Sequence, residues 1–252
     1  MQNNTSYTLH KSNSLTRNHI HYQSPLMVAW WSIAFPGFGH YLVNSYLWGF
    51  IFMSFEYALN TFTHLNLSIY YSMIGEFQLA KQVLDKHWLL LYIVIYIFAV
   101  WDSYRRTVEL NKVNQLALYD VSYIPAFKLS TIEANLLDKK VPWVGLVWTI
   151  LLPSVAYVYL QKFWSFIFNA IWWVVILYNS NLLMGVHLSA EGNFTGAIDI
   201  LDPQWTLYLP SIYGFSLFCA YTTINDNNRL FNLKQTQYLK ANYQHMNLDG
   251  LF

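Results

Sequence analysis

Glu56 is the residue whose type and surroundings point most directly to chemistry. No Asp, Glu, Lys or Arg lies between Arg17 and Glu56. An acidic group at mid-membrane costs about 2.5–3.5 kcal/mol on insertion scales, so it usually faces a bundle interior or a cavity. With His40 and His64 as titratable partners, Glu56 could form an intramembrane polar site for a proton or a cation. The open alternative is that Glu56 lies near a helix end, where it reaches polar surroundings or bonds a tyrosine.

Other charged residues have simpler interpretations. Asp202 precedes a proline and is expected to cap a helix, and Asp85 is expected to cap the matching helix earlier in the chain. Asp102, Arg105 and Arg106 stand together after an apolar run and are predicted to form local ion pairs there. The alternative for the two arginines is contact with an anionic lipid headgroup.

Motifs of known enzyme classes are missing from the sequence. It has no glycine-rich phosphate loop, no H-E-x-x-H, no G-x-S-x-G and no cysteine pair. The single Cys219 excludes an intrachain disulfide and a cysteine metal cage. His19 and His21 could bind a metal only weakly, since no third ligand is near them. We therefore expect a protein that is not an enzyme and has no cofactor.

The elements that must position these residues occur twice. The stretch Gly75–Trp88 recurs as Gly192–Trp205, and matching residues are 117 positions apart. Further identities at the same spacing are Trp31/Trp148, Pro36/Pro153, Tyr96/Tyr213, Phe98/Phe215, Tyr104/Tyr221 and Asn111/Asn228. So many matches in one register predict a tandem duplication. Function is then expected in the repeat and where its two copies meet.

Composition predicts that both copies lie in a membrane. Charged residues make up 11% of the 252 and apolar residues 55%, against about 25% charged residues in soluble domains. Uncharged blocks are long enough for spans of about 20 residues, and the many Trp and Tyr at their edges fit the headgroup zone. A net charge of +1 argues against a nucleic-acid partner.

Each copy is predicted to hold three apolar elements and one amphipathic element. They are Leu26–Val43, Tyr46–Phe62, Leu65–Lys86 and Trp88–Tyr104 in the first copy, and Pro142–Leu160, Phe163–Leu183, Val186–Leu201 and Gln204–Ile224 in the second. In the amphipathic Leu65–Lys86 element and the residues after it, Phe77, Ala80, Leu84 and Trp88 fall on one helical stripe. We expect this stripe to pack on its own bundle; lying in the membrane interface is the alternative.

Basic residues concentrate at the two ends of the chain and in the connector between the copies. By the positive-inside rule these three regions should be cytoplasmic. Three membrane crossings per copy would instead place the connector outside the cell. The two copies would then have opposite orientations in the membrane. An even number keeps the connector inside and the copies parallel, and we favour it, with the first element, broken at Pro36, as a half-entering hairpin. Both arrangements place the N- and C-termini in the cytoplasm.

A glycine-rich turn stands inside the first element. Pro36, Gly37 and Gly39, with Gly49 further on, would let helix backbones approach closely. The run Pro36–Leu42 resembles the signature of the two-transmembrane-helix hairpin family, and the pattern also resembles multi-pass membrane proteins of low-GC Gram-positive bacteria. The resemblance implies a packed helical hairpin and no reaction. The second copy lacks these glycines.

The sequence therefore predicts an all-α, polytopic membrane helical bundle made of two tandem homologous repeats. The predicted parts are a polar cytoplasmic segment (1–24), a first repeat (25–112), a cytoplasmic connector (113–141), a second repeat (142–228) and a cytoplasmic tail (229–252). The expected function is that of an accessory, scaffold or assembly subunit of a bacterial cell membrane, in contact with the lipid bilayer and another membrane protein. The alternative is a small transporter or channel with Glu56 where the repeats meet.

Overall fold

Helices make up nearly all of the computed structural model, which describes residues 22–117, 127–129, 134–136, 138–160 and 162–242. The predicted all-α class is confirmed. The helices are α1 Pro25–Ala34, α2 Phe38–Leu42, α3 Tyr46–Thr63, α4 Leu65–Met73, α5 Phe77–Val83, α6 Lys86–Ala117, α7 Pro142–Leu151, α8 Val155–Tyr159, α9 Phe163–Ser180, α10 Leu182–Ala190, α11 Phe194–Ile200, α12 Pro203–Thr206 and α13 Leu209–Asn242. Two short strands, β1 Phe127–Leu129 and β2 Ala134–Leu136, pair antiparallel in the predicted connector. His19 and His21, and the predicted segment 1–24 up to residue 21, lie outside the described residues.

Five helices of the first half have counterparts with the same bounds in the second half. Helices α1 to α5 begin and end 117 positions before α7 to α11, respectively. The joints also match: His64 and Asn181 both have positive φ, and so do Gly75 and Gly192. Up to their last long helices, the two halves therefore follow the same sequence of helices and turns.

In each half, an asparagine side chain near the end of the half bonds the backbone near its beginning. Asn111 Oδ1 accepts from the backbone N–H of Gln23 at 3.0 Å, and Asn111 Nδ2 donates to the carbonyl of Gln23 at 2.8 Å. Asn228 makes the same two bonds with the backbone of Lys140, both at 2.7 Å. Because each asparagine satisfies two backbone groups at once, it fixes the start of the first helix against the long last helix.

The glycine-rich turn divides the first predicted element into α1 and α2. Gly37 is the N-cap of α2 with φ of 101°, a left-handed conformation open to glycine. A Cβ on Gly37 would lie 2.5 Å from the carbonyl oxygen of Gly49, and one on Gly39 would lie 2.6 Å from that of Val28. These glycines thus let three backbone segments approach closely. At the matching position Ser154 has an ordinary φ of −83°.

The long helices exceed the lengths expected from the sequence. Helix α6 runs from Lys86 to Ala117 rather than from Trp88 to Tyr104, because no glycine or proline interrupts the polar residues after its apolar part. In the second half the helix is broken between α12 and α13. Pro210 lacks the N–H that would bond the carbonyl four residues earlier, which accounts for this break.

The amphipathic element forms two short helices joined at Gly75, and its stripe is not buried as a whole. Ala80 is buried, whereas Phe77 is 61% exposed. The second half repeats this pattern, with Ala197 buried and Phe194 66% exposed. The small alanine lets α4 and α5 approach, as the bond from Ser68 Oγ to the carbonyl of Ala80 also shows. Helix α5 thus packs on α4 at Ala80, while Phe77 of the same stripe stays exposed.

Contacts divide the chain into two units whose boundaries differ from those of the predicted repeats. The first unit contains Gln23–Lys112 and Asn169–Phe215, and the second contains the described parts of Val113–Phe168 and Ser216–Phe252. The first unit thus includes all of the first predicted repeat together with α10, α11 and α12 of the second. The three clusters of side chains described below all lie within this first unit.

One helix among the described residues is long and apolar enough to cross a membrane by itself. It is the stretch Lys86–Val113 of α6, and only 17% of its most apolar 18-residue window is buried. Ser165–Ser180 and Leu182–Ala190 pass the same test together, but they are bent by 62° where they meet. Helices α1 and α7 are apolar and shorter.

Candidate functional site: a buried polar cluster around Glu56

Three carboxamide side chains, which we call the amide cluster, join the two halves of the chain inside the first unit. They are Asn60 of α3, Asn66 of α4 and Gln204 of α12, and all three are buried. Gln204 Nε2 donates to Asn60 Oδ1 at 2.7 Å and to the Asn60 carbonyl at 3.1 Å. Asn66 Nδ2 donates to the backbone carbonyl of Gln204 at 2.9 Å. The cluster thus links Gln204 to Asn66 and Asn60, which lie 138 and 144 positions earlier in the sequence, respectively.

Local backbone geometry brings these amides together. His64 adopts a left-handed φ of 53° between α3 and α4, so the chain reverses and the N–H of Asn66 donates to Asn60 Oδ1 at 3.0 Å. On the other side, the carboxylate of Asp202 accepts from the N–H of Gln204 at 2.8 Å and caps α12. Gln204 Oε1 then accepts from the N–H of Leu67 at 2.8 Å.

Glu56 lies one helical turn before Asn60 and extends the cluster. Its Oε1 accepts from Asn60 Nδ2 at 2.9 Å and from the Tyr92 hydroxyl at 3.4 Å. The residue is 6% exposed, and its Oε2 has no hydrogen-bond partner among the described residues. Burying a carboxylate is costly unless it is paired, and here its partners are an amide and a phenol.

Aromatic rings pack beside the amide cluster; we call Tyr57, Trp172, Trp205 and Tyr208 the aromatic cluster. Tyr57 stacks on Trp172 with ring centroids 4.3 Å apart. It also meets Tyr208 edge-on at 4.9 Å and lies parallel to Trp205 at 6.0 Å. Such contacts add about 0.5–1.5 kcal/mol each beyond the area that they bury. Polar and aromatic contacts thus hold α3 against α9, α12 and the start of α13 in this unit.

A second group, the Asp102 cluster, contains His40, Asp102, Arg105 and Arg106. Asp102 is buried, and its Oδ1 accepts from Arg105 Nη2 at 2.7 Å. Its Oδ2 accepts from Arg106 Nε and lies 3.1 Å from His40 Nε2. Arg105 and Arg106 also lie over the rings of Trp101 and Trp48, respectively. Because Asp102 occupies both arginines, their freedom to bind a lipid headgroup is reduced.

The structure does not pair the residues of the predicted intramembrane site with one another. Glu56 bonds Asn60 and Tyr92, His40 faces Asp102, and His64 is exposed at the joint between α3 and α4. The two aspartates predicted as caps both accept backbone N–H groups: Asp202 from Gln204 and Asp85 from His87, the latter at 2.8 Å. That N–H holds the pKa of Asp85 below its usual range.

The second half carries different side chains at the matching positions. Counterparts of Glu56, Asn60, Asn66 and Tyr92 are Trp173, Leu177, Leu183 and Leu209. In place of His40 and Asp102 stand Tyr157 and Cys219, which interact with each other in the second unit. The same helix bounds thus form without the polar set around Glu56.

The amide cluster was not predicted from the sequence. Uncharged amides occur throughout the chain, and the link from Asn66 to Gln204 spans 138 positions. One signal was available: Asn60 follows Glu56 by four residues, a spacing that places an amide next to a carboxylate on one helix face. The sequence held no comparable signal for Gln204.

Replacing Gln204 with alanine is expected to lower the free energy of unfolding by about 2–3 kcal/mol. The change leaves the part-buried N–H of Leu67 without its acceptor and removes one of the two donors to Asn60 Oδ1, and the loss of a buried hydrogen-bond partner costs about 1–3 kcal/mol. Thermal unfolding in detergent measures the difference. Gln78→Ala, at an exposed position of α5, is the matched control and should stay within about 0.5 kcal/mol of the wild type. Equal effects of the two substitutions would contradict the role given to the amide cluster.

Among the described residues no group of three His, Cys, Asp or Glu side chains could hold a metal ion. Comparisons with protein-family models, curated proteins and solved structures found no match to this chain. The resemblance of Pro36–Leu42 to the two-transmembrane-helix hairpin family stays a prediction from those residues. Function must accordingly be inferred from the chain's own geometry.

Proposed function

We propose that this protein is an integral protein of a bacterial cell membrane. The observation that supports this most is the exposed apolar surface of α6, where Leu90, Val94 and Ile97 are all more than half exposed. A core helix of a soluble protein would bury such residues, whereas a helix in lipid leaves them on its surface. Large apolar side chains are also exposed on the shorter helices, among them Leu26, Trp30, Trp143 and Leu151.

Helix lengths in the first repeat support an even number of crossings. Helix α1 has 10 residues, about 15 Å at 1.5 Å per residue, which is about half the hydrocarbon thickness of a bilayer. Helices α3 and α6, with 18 and 32 residues, are long enough to cross. On this arrangement α1 and α2 enter the membrane and return, and the basic connector and both termini lie in the cytoplasm.

The proposal includes descent from a duplicated unit. It is supported by the matching bounds of α1 to α5 and α7 to α11 and by the paired asparagine contacts of Asn111 and Asn228. Divergence is concentrated at the polar positions around Glu56. Two copies that keep one backbone plan but differ in these side chains are expected to have different roles.

Within the membrane we propose an accessory or assembly function without catalysis. The observation that carries it is the direct contact between the halves: amides bond amides, and Tyr57 stacks on Trp172. Such a joint gives the first unit a fixed shape. The exposed apolar face of α6 could then receive a transmembrane helix of a partner, where small and apolar residues pack in lipid.

Site-specific photo-crosslinking in intact cells tests the assembly function. A photoreactive residue at Val94, which is 65% exposed, is expected to form one discrete adduct with another membrane protein. The same residue at Ile69, on α4 and also exposed, is the matched control for a face to which we assign no partner. Adducts with lipid alone at Val94 would contradict the assembly function and leave the membrane location in place.

A small transporter or channel is the second candidate, favoured by the unpartnered oxygen of Glu56. A buried ionisable group inside a helical bundle commonly marks an ion or proton pathway. This function requires that Glu56 be essential, whereas assembly does not. Ion flux into liposomes that is lost in Glu56→Gln would favour transport.

A further inference from the structure

Glu56 is a buried carboxyl group without an ionic partner. No Lys, Arg or His is hydrogen-bonded or ion-paired to it in the described part of the chain. Its Oε1 receives two donors, while Oε2 has none. A buried polar atom without a partner calls for an explanation, such as an ion, a water or a proton that the atom binds.

The orientation of the neighbouring amide side chains indicates whether Glu56 Oε2 binds a metal ion or a proton. Asn60 presents its Nδ2 to Glu56, while Asn60 Oδ1 is occupied by Asn66 N and Gln204 Nε2. The side-chain oxygen of Asn66 accepts from Asn60, and that of Gln204 accepts from Leu67. Cations need several oxygen ligands, but here the amide oxygens are turned away. The site therefore suits a proton better than a metal ion.

Among the described residues, four phenols are the titratable groups that interact electrostatically with Glu56. They are Tyr57 on the same helix, Tyr92 and Tyr96 on α6, and Tyr208 between α12 and α13. Tyr208 is 3% exposed, and its hydroxyl also lacks a hydrogen-bond partner among the described residues. A phenol is either neutral or anionic, so none of the four can supply a positive charge to hold Glu56 permanently as an anion.

Comparison with the second half shows that this polar set is not needed to build the helices. Trp173 stands where Glu56 would, and leucines replace Asn60, Asn66 and Tyr92, yet α9 has the same bounds as α3 at a spacing of 117. Since the same helices form without a carboxylate at this position, the buried Glu56 points to a chemical role rather than a structural one.

We propose that Glu56 is a proton-binding site that takes up and releases one proton at Oε2. In the charged state, Asn60 Nδ2 and the Tyr92 hydroxyl stabilise the carboxylate through Oε1. Uptake of a proton from water forms the O–H bond on Oε2 and removes the charge that burial penalises. Release breaks that bond and returns the proton to water. The site deepens the second candidate function, but its existence does not depend on transport.

Infrared spectroscopy of the full chain in lipid, recorded across a pH series, tests the site. The wild type is expected to show a carboxylic-acid C=O band that disappears as pH rises. This band should be absent from Glu56→Gln and retained in Glu76→Gln, the matched control at an exposed glutamate. Identical spectra of the wild type and Glu56→Gln at every pH would overturn the proposal, because Glu56 would then never be protonated.

A second variant keeps the test decisive if Glu56→Gln does not fold. Glu56→Asp retains the carboxyl group and should show a pH-dependent band at an altered frequency. A C=O band that is present but unchanged at every pH would also overturn the proposal, because it would mean a permanently neutral acid. Neither result bears on photo-crosslinking at Val94, so failure of this site and failure of the assembly function are distinguishable.

Discussion

Replacement of Gly37 with alanine is expected to lower the free energy of unfolding by about 3 kcal/mol. At φ of 101° a side chain costs about 1–2 kcal/mol by itself. The new Cβ would also lie 2.5 Å from the carbonyl oxygen of Gly49 and 2.8 Å from Met53 Cγ, and overpacking of this kind costs about 1–3 kcal/mol. Thermal unfolding of the purified protein in mild detergent measures the sum.

Gly75→Ala separates the two causes. Gly75 has φ of 86°, and a Cβ there would meet nothing within 4 Å. Gly75→Ala should therefore show only the cost of a side chain at positive φ, about 1–2 kcal/mol. If Gly37→Ala were no more harmful than Gly75→Ala, the close approach of α2 and α3 at the glycine turn would be wrong.

Asp102→Asn is expected to cost about 3 kcal/mol of unfolding free energy. Asparagine keeps the shape of the side chain but removes the charge that neutralises Arg105 and Arg106. Removing one partner of a buried ion pair typically costs about 3–5 kcal/mol. The effect should fall at the lower end because the arginine side chains are 41% and 25% exposed and can regain water.

The control for this substitution is Glu109→Gln. Glu109 also pairs with Arg105, at 2.6 Å, but its side chain is 57% exposed. Exposed pairs contribute about 0–1 kcal/mol, so the loss should be small. Urea or thermal unfolding of both variants under one set of conditions gives the comparison, and equal losses would show that burial of Asp102 does not matter for stability.

Much of the fold follows from local patterns in the sequence. The predicted Tyr46–Phe62 helix appears as Tyr46–Thr63, and the break at Pro36 separates two helices. Local signals such as proline and glycine act within a few residues, so a sequence displays them directly. The ends of α6 and α13 were less predictable, because helix formers continue beyond the apolar stretch and no breaker marks the boundary.

The candidate site was predicted only at its single charged residue. Glu56 was conspicuous because its surroundings lack charge, but its partners depend on long-range packing. His40 pairs with Asp102, 62 positions away, and Gln204 reaches Asn60 from 144 positions away. Such contacts depend on how helices pack side by side, and helical periodicity in one segment does not specify its neighbour. The exposed Phe77 illustrates the same limit, since its stripe position did not reveal which residues would be covered.

The central claim, that the apolar face of α6 lies against lipid, is tested most directly by spin-label accessibility in liposomes. The label is placed at Val94, or at Lys112 as the aqueous control, in a Cys219→Ser background, since Cys219 is the chain's single cysteine. Val94 should collide often with oxygen and rarely with a water-soluble nickel complex, and Lys112 should show the reverse. Equal access of the nickel complex to both positions would contradict the membrane location.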